Sequence, residues 1–309
     1  YGLEYWPSKA KIIQVDINPD RIGLTKKVSI GIVGDAGKVA TDIYSQLSET
    51  AGDTNREARK VNIAETKSKW AQQLSSMDHE DDDPGTTWNQ RARADKPDWM
   101  SPRMAWRAIQ AALPRNAIIS SDIGNNCAIG NAYPSFEEGR KYLAPGLFGP
   151  CGYGLPSVVG AKIGCPEVPV VGFSGDGAFG IAVNELTAIG RGDWPAITQI
   201  VFRNYQWGAE KRNTTLWYQD NFVGTELNYE VSYAGIAEAC NLKGVVARTM
   251  DDLTAALNQA IKDQMENGIT TLIEAMINQE LGEPFRRDAM TAPVAVAGID
   301  AEDMRPQQV

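Results

Sequence analysis

The sequence predicts an α/β protein: a doubly wound, mostly parallel sheet preceded by the end of a second α/β domain. Three observations predict it. From about residue 100, short β-branched runs alternate with segments of helical period; glycine-rich turns follow several of those runs; and a separate strand, strand, helix pattern precedes a long polar stretch. Alternation of this kind buries apolar faces by layering helices on both sides of a parallel sheet, and ligands then sit at the carboxyl ends of its strands.

Taken in order, residues 11–17 alternate and stop at Asn18-Pro19-Asp20, a strand followed by a turn signal, and Ser29 to Val33 is a second β-branched run. Lys38 to Leu47 has apolar residues at Val39, Ile43 and Leu47, a helical spacing. The intervening Gly31 to Gly37 segment lacks GxGxxG spacing and reads as a loop closure. Glu49 to about Pro97 is polar, with an amphipathic helix expected over Ala64 to Leu74 and a solvated acidic run, Asp78–Asp83, that includes the sole histidine, His79. Pro102 opens a helix to Leu113. Strands are expected at Ala117–Ser121, Val168–Phe173, Thr198–Phe202, Gly244–Ala247 and Thr270–Ala275. Helices are expected at Leu155–Lys162, Ala182–Ile189, Tyr233–Ala239 and Met250–Asn267. The domain limits read as 1–50, a polar linker over 51–100, a main domain over 101–280 and a polar tail over 281–309.

Composition narrows the function classes. The 309 residues carry 30 Lys and Arg against 39 Asp and Glu, a net charge of −9, which repels nucleic-acid and membrane phosphates. One histidine leaves no Ser/His or Cys/His pair and no His-rich metal site. The four cysteines are scattered without a CxxC pair, as reduced thiols of a cytoplasmic protein would be. Neither a signal peptide nor an apolar run of spanning length is present. The chain opens at Tyr1 and meets a strand within a dozen residues, which reads as an amino-terminal truncation.

The chemistry concentrates at two strand ends. Val168–Phe173 runs into Ser174-Gly175-Asp176-Gly177-Ala178, and Thr198–Phe202 runs into Arg203-Asn204-Tyr205-Gln206-Trp207-Gly208. Asp176 and Asn204 can meet over one crevice and offer a carboxylate and an amide oxygen to a hard cation. The glycines let the backbone approach a phosphate, and a helix near Ala182 adds its positive amino end. A tight turn with a helix cap accounts for the same residues.

Gly175-Asp176-Gly177, then 26 residues, then Asn204, resembles the signature of thiamine-diphosphate (ThDP) enzymes, and residues 11–47 together with about 100–280 resemble the acetolactate-synthase-like family. The resemblance implies a ThDP-binding fold, and the cofactors ThDP and Mg2+, with Asp176, Asn204 and the backbone oxygen of Gln206 as metal ligands. Gly175, Gly177, Ala178, Trp207 and Gly208 belong to the same implied cofactor site. Asp122-Ile123-Gly124-Asn125-Asn126 is similar to the loop that cups the outer phosphate, although a plain polar turn has the same composition. Gly149 is similar to the residue whose carbonyl accepts from the aminopyrimidine, and Cys151 stands where a bulkier apolar prop is usual. Arg203 is a second departure, since many relatives carry Asn there.

The family's activating Glu belongs to a first domain that this chain lacks, so the resemblance implies no catalytic residue here and a homo-oligomer, dimer or tetramer, with the site at a subunit interface. Asp122 to Pro134, Leu147 to Gly154, Asn204 to Asn213 and Gly282 to Arg287 are similar to the branch of the family that acts on sulfoacetaldehyde. That implies conversion of sulfoacetaldehyde and phosphate to acetyl phosphate and sulfite through 2-acetyl-ThDP. A carboligase acting on pyruvate and a non-catalytic partner subunit are the alternatives. Lys211 and Arg212 are candidates for binding the anionic substrates or for a surface role; Arg286 and Arg287 for covering the entrance or a neighbouring subunit. Trp207, Trp217, Tyr218 and Phe222 suit a core or dimer contact better than a pocket wall.

Overall fold

The computed structural model describes residues 9–24, 27–48, 56–78, 92, 95–96, 98–139, 141–146, 148–212 and 221–281. The chain divides into two compact units, residues 1–70 with 284–309, and residues 71–283.

In the first unit, β1 (Ile13–Asp16) and β2 (Ile30–Val33) pair in parallel, and α1 (Ala36–Ser48) follows. Asn18 caps the 3-10 turn Pro19–Arg21 by accepting from the Asp20 amide at 3.0 Å, and Asp35 accepts from the Lys38 amide at 2.9 Å to open α1. Gly31 is needed for packing: a Cβ there would lie 2.4 Å from the Ile22 side chain. The helix expected over Ala64 to Leu74 is longer, α2 (Arg56–Asp78), and its described side chains form no apolar stripe: Val61, Ile63 and Trp70 are exposed and, among them, only Leu74 is buried. Good helix formers along its length carry it beyond the limits that periodicity suggested.

The second unit is built on a six-stranded sheet, all parallel, in the order β4 (Tyr142–Leu143), β3 (Ile118–Ser121), β5 (Val170–Gly175), β6 (Thr198–Arg203), β8 (Thr271–Met276), β7 (Lys243–Ala247). The doubly wound arrangement expected from the alternation is present, because neighbouring residues on each strand face opposite apolar layers. Ile119, Val171, Ile200 and Ile273 pack with α3 (Pro102–Ala112) and α9 (Met250–Lys262) around Trp106, Ile109, Leu253 and Leu257. Ile118, Val170, Val201 and Leu272 pack with Leu155, Val158, Phe179, Leu186 and Ala237 on the other face. These come from α5 (Gly154–Gly164), α6 (Asp176–Ala182), α7 (Glu185–Ile189) and α8 (Tyr233–Ala239). Strands β5, β6 and β8 are buried on both faces and carry apolar stretches at Val170–Phe173, Ile200–Phe202 and Leu272–Ile273, as a parallel sheet requires.

Four local features differ from expectation. The helix expected over Ala182–Ile189 begins at Asp176 and breaks between Ala182 and Glu185, so its amino end coincides with the glycine-aspartate-glycine turn. Asn125–Gly130 forms a short helix, α4, where a loop was expected, with Gly124 preceding it at φ +128°. The pattern over Met250–Asn267 changes to a π turn at Asp263–Asn267, ended by Gly268 at φ +66°. A two-residue strand, β4, is too short for any periodicity to announce.

Candidate functional site

The chain reverses direction across the sheet at β3: β4 lies on one side of it and β5 on the other. Such a switch point opens a crevice at the carboxyl ends of the strands. Asp176 follows β5 and Asn204 follows β6, and the register pairs Gly175 with Phe202, so the two side chains emerge side by side.

Asp176 is fully buried and its carboxylate is divided in function. Oδ2 accepts from the Arg203 guanidinium at 3.2 Å and from the amides of Asn204 and Tyr205 at 3.1 and 2.6 Å. Oδ1 accepts only from the Gly177 amide, at 2.9 Å. Burial pushes the carboxyl up to about 6, and Arg203 with the backbone donors pulls against that rise. Tyr205 adopts φ +60°, a left-handed conformation that is uncommon and strained for a non-glycine residue. That turn brings the Gln206 carbonyl back toward Asn204.

The result is a convergence of oxygens. The Asn204 amide oxygen stands 3.2 Å from Asp176 Oδ1 and 3.3 Å from the Gln206 carbonyl oxygen, with no donor between them. Without a cation the amide would turn and donate to both. With one, the Asn204 oxygen already sits from each of the other two at nearly the separation, about 3.0 Å, of neighbouring vertices in a magnesium octahedron with bonds of about 2.1 Å. The donor set therefore fits Mg2+, even though, among the described residues, no cluster of three His, Cys, Asp or Glu side chains can hold a metal.

Asp122, at the tip of β3, organises the opposite wall. Its Oδ1 accepts from the amides of Ile123 and Gly152 at 2.8 and 3.1 Å, and its Oδ2 from the Gly154 amide and the Ser174 hydroxyl at 2.8 and 3.2 Å. One buried carboxylate thus ties the loop carrying Gly149 and Cys151 to β3 and β5. Glycine is needed at 154, where a Cβ would lie 2.6 Å from Ser174 Oγ, and at 177, where it would lie 2.8 Å from the Trp207 indole. Asn125 donates to the Gly208 carbonyl at 2.8 Å and joins α4 to the loop after β6.

These walls enclose about 610 Å3 of non-atom space, part of it open to solvent. Every residue expected from the sequence to contact cofactor lines it: Ile123, Gly124, Asn125 and Asn126; Gly149 and Cys151; Gly175 to Ala178; and Asn204 with Gln206 to Gly208. The amide oxygens of Asn125 and Asn126 are buried and lack hydrogen-bond partners, as acceptors completed by a ligand or water do. Three lining residues were not anticipated: Cys127, Ala209 and Glu210. Cys127 sits one helical turn into α4, a helix that the sequence did not announce, and burial pushes its thiol up to about 12. The role of Asp122 as a fastener was also missed, since four partners from three segments leave no local signal.

Two expectations require correction. Neither Lys211 nor Arg212 lines the cavity. The Lys211 ammonium is buried in an ion pair with Glu226 and lies 5.0 Å from the Phe222 ring centre, and Arg212 is half-buried. The helical turn at 208–212 swings both side chains off the crevice. Trp207, expected among the cofactor contacts and also, with its aromatic neighbours, in a core or dimer contact, is a cavity wall packed on Gly177. Trp217, Tyr218, Arg286, Arg287 and the acidic run from His79 to Asp83 lie outside the described residues.

Comparison with known proteins bears on the same segment. Residues 122–275, from the Asp122 fastener to the end of β8, match the family model for the thiamine pyrophosphate enzyme C-terminal TPP-binding domain. The chain belongs to the thiamine pyrophosphate enzymes. It is similar to the sulfoacetaldehyde acetyltransferase of Roseovarius nubinhibens, at 81% identity over all of this chain and 51% of that protein. It is similar also to that of Rhodobacter capsulatus, at 75% identity over 99% of this chain and 52% of the other. The chain spans about half the length of these curated relatives. A thiamine diphosphate-dependent 4-hydroxybenzoylformate decarboxylase of Rhodococcus jostii superposes with a TM-score of 0.53 at 23% identity, over 58% of this chain and 33% of that one, and shares the thiamine pyrophosphate enzyme fold.

Proposed function

We propose that this chain supplies the diphosphate- and Mg2+-binding part of an acetyltransferase that converts sulfoacetaldehyde and phosphate to acetyl phosphate and sulfite. The observation that carries the reading is the set of three oxygens from Asp176, Asn204 and Gln206 at the mouth of a glycine-lined cavity. The choice of substrate rests on the identity to the two acetyltransferases. When bound, ThDP supplies a thiazolium carbon that adds to the aldehyde and stabilises the negative charge left there, and Mg2+ offsets the charge of its diphosphate.

The chain's own residues bind and orient. Asp176 Oδ1, the Asn204 side chain and the Gln206 carbonyl hold the cation, and Gly175, Gly177 and Ala178 let the backbone approach the diphosphate. Ile123, Gly124, Asn125 and Asn126 close over the outer phosphate, helped by Gly208. The Gly149 carbonyl takes the aminopyrimidine's amino group, Cys151 supports the cofactor's bend, and Trp207 excludes water from the same wall. Residues 101–280 form this domain in the proposal, with 1–50 as the end of a central domain, 51–100 as linker and 281–309 as tail. The protein works in the cytoplasm as a homo-oligomer whose site lies at a subunit interface.

The test uses the full gene product with ThDP, MgCl2 and phosphate. Sulfite release from sulfoacetaldehyde, matched by acetyl phosphate, is the expected outcome. Release of CO2 from pyruvate without sulfite would make the protein a carboligase; neither product would overturn the catalytic reading.

A further inference from the structure

Arg203 occupies a position that no role in the site requires, yet it is among the most buried side chains of the protein, 1% exposed. A guanidinium stays charged in a protein, so its burial demands compensation from every side. The structure provides most of it. One arm donates to Asp176 Oδ2 at 3.2 Å; another donates to the carbonyls of Asn228 and Val231 at 2.6 and 2.9 Å. Its Nε makes no hydrogen bond but lies in ion-pair range of Glu274, 3.5 Å from Oε1, and the other oxygen of Glu274 is held by the Ser232 hydroxyl and the Ala234 amide at 2.9 and 3.1 Å. The guanidinium carbon lies 4.0 Å from the centre of the Tyr205 ring and 5.0 Å from that of Tyr233. Tyr233 in turn donates to the Asp176 carbonyl at 3.0 Å.

Two of these contacts bear directly on the cation site. By occupying Oδ2, Arg203 fixes the rotation of the Asp176 carboxylate and leaves Oδ1 facing Asn204 and the Gln206 carbonyl. By stacking on Tyr205, it secures the residue whose left-handed backbone presents that carbonyl. We propose that Arg203 is a positioning residue for the divalent-cation site, anchored by Glu274, that sets both the Asp176 oxygen and the Gln206 carbonyl for one metal ion. Asn, a short uncharged side chain, cannot span from Asp176 to Glu274, so this chain secures its metal loop by a buried ionic bridge.

The inference rests on the Mg2+ and ThDP reading above, and the experiment separates the two. MgCl2 is titrated into the full gene product in the presence of excess ThDP, and cofactor uptake is read by tryptophan quenching, Trp207 being a cavity wall. If wild-type protein shows no Mg2+-dependent uptake, the functional reading fails and this inference with it. If wild type binds, Arg203→Lys should raise the Mg2+ concentration for half-saturation at least tenfold, with full occupancy regained at high Mg2+. A purely structural role would instead lower the folded fraction at every Mg2+ concentration. A half-saturation within twofold of wild type in folded Arg203→Lys would overturn the inference alone. Should that variant not fold, Tyr205→Leu decides, since it removes the stack without orphaning a buried charge: a rise of at least threefold supports the proposal and an unchanged value overturns it.

Discussion

Replacing Asp122 by Asn is the sharpest probe of how the cavity wall is held, because size and shape are conserved and only one acceptor is lost. The carboxylate accepts four hydrogen bonds, two on each oxygen. An amide must place its NH2 at one of these positions. At Oδ1 it would confront two backbone amides, from Ile123 and Gly152, so the amide nitrogen takes the Oδ2 position. There the Ser174 hydroxyl can turn and accept, but the buried Gly154 amide cannot. One orphaned N–H and the lost charge assistance on the others cost about 2–4 kcal/mol. For a domain of roughly 200 residues that lowers the melting temperature by roughly 5–15 °C. The assay is thermal unfolding of the apoprotein followed by circular dichroism, beside Ser174→Ala, which removes a neutral hydroxyl that donates to Asp122 and accepts weakly from Gln199 and should cost about 1 kcal/mol. Since the loop carrying Gly149 and Cys151 is released, ThDP affinity should also fall at least tenfold. A melting point within about 2 °C of wild type, with unchanged cofactor affinity, would show that Asp122 does not fasten this loop.

Three further outcomes are expected. Asp176→Asn removes the carboxylate that faces Asn204 and leaves Glu274 as the one carboxylate beside Arg203 among the described residues; Mg2+-dependent uptake of ThDP should fall more than a hundredfold by calorimetric titration. Gly177→Ala places a methyl 2.8 Å from the Trp207 indole, so the ring must move, and tryptophan emission of the apoprotein should shift together with about a tenfold loss in cofactor affinity. The Cys127 thiol, moved by burial from 9.0 to about 12, stays protonated in the fold while the unfolded chain ionises it. Its contribution is complete below pH 9 and is lost as pH rises toward 12, with a slope approaching ~1.4 kcal/mol per pH unit. Cys127→Ala should therefore show a smaller drop in stability between pH 8 and pH 10 than wild type does, measured by urea unfolding.

Much of the architecture was legible because it rests on local periodicity. Val170 to Phe173 and Ile200 to Phe202 are apolar runs that a sheet covered on both faces buries, and Tyr233–Ala239 is an amphipathic turn capped by Ser232. The candidate cofactor residues were legible as loops following strands, together with a resemblance that named them. What stayed hidden has no periodic or spacing signal. The short helix over Asn125–Gly130 is too brief to carry one. The inward face of Trp207 depends on the absence of a side chain at Gly177, thirty residues earlier.

The chain's pattern alone thus settles the alternation of strands and helices, the glycines that permit close approach, and the acidic balance of charge. Each follows from neighbours in sequence or from composition. The tertiary structure decides which oxygen of Asp176 is committed to Arg203 and which faces Asn204, why Lys211 turns away to Glu226, and how Asp122 gathers four donors. Those outcomes depend on groups brought together from distant strands, where hydrogen-bond geometry and the cost of burying charge choose among orientations that sequence leaves equivalent.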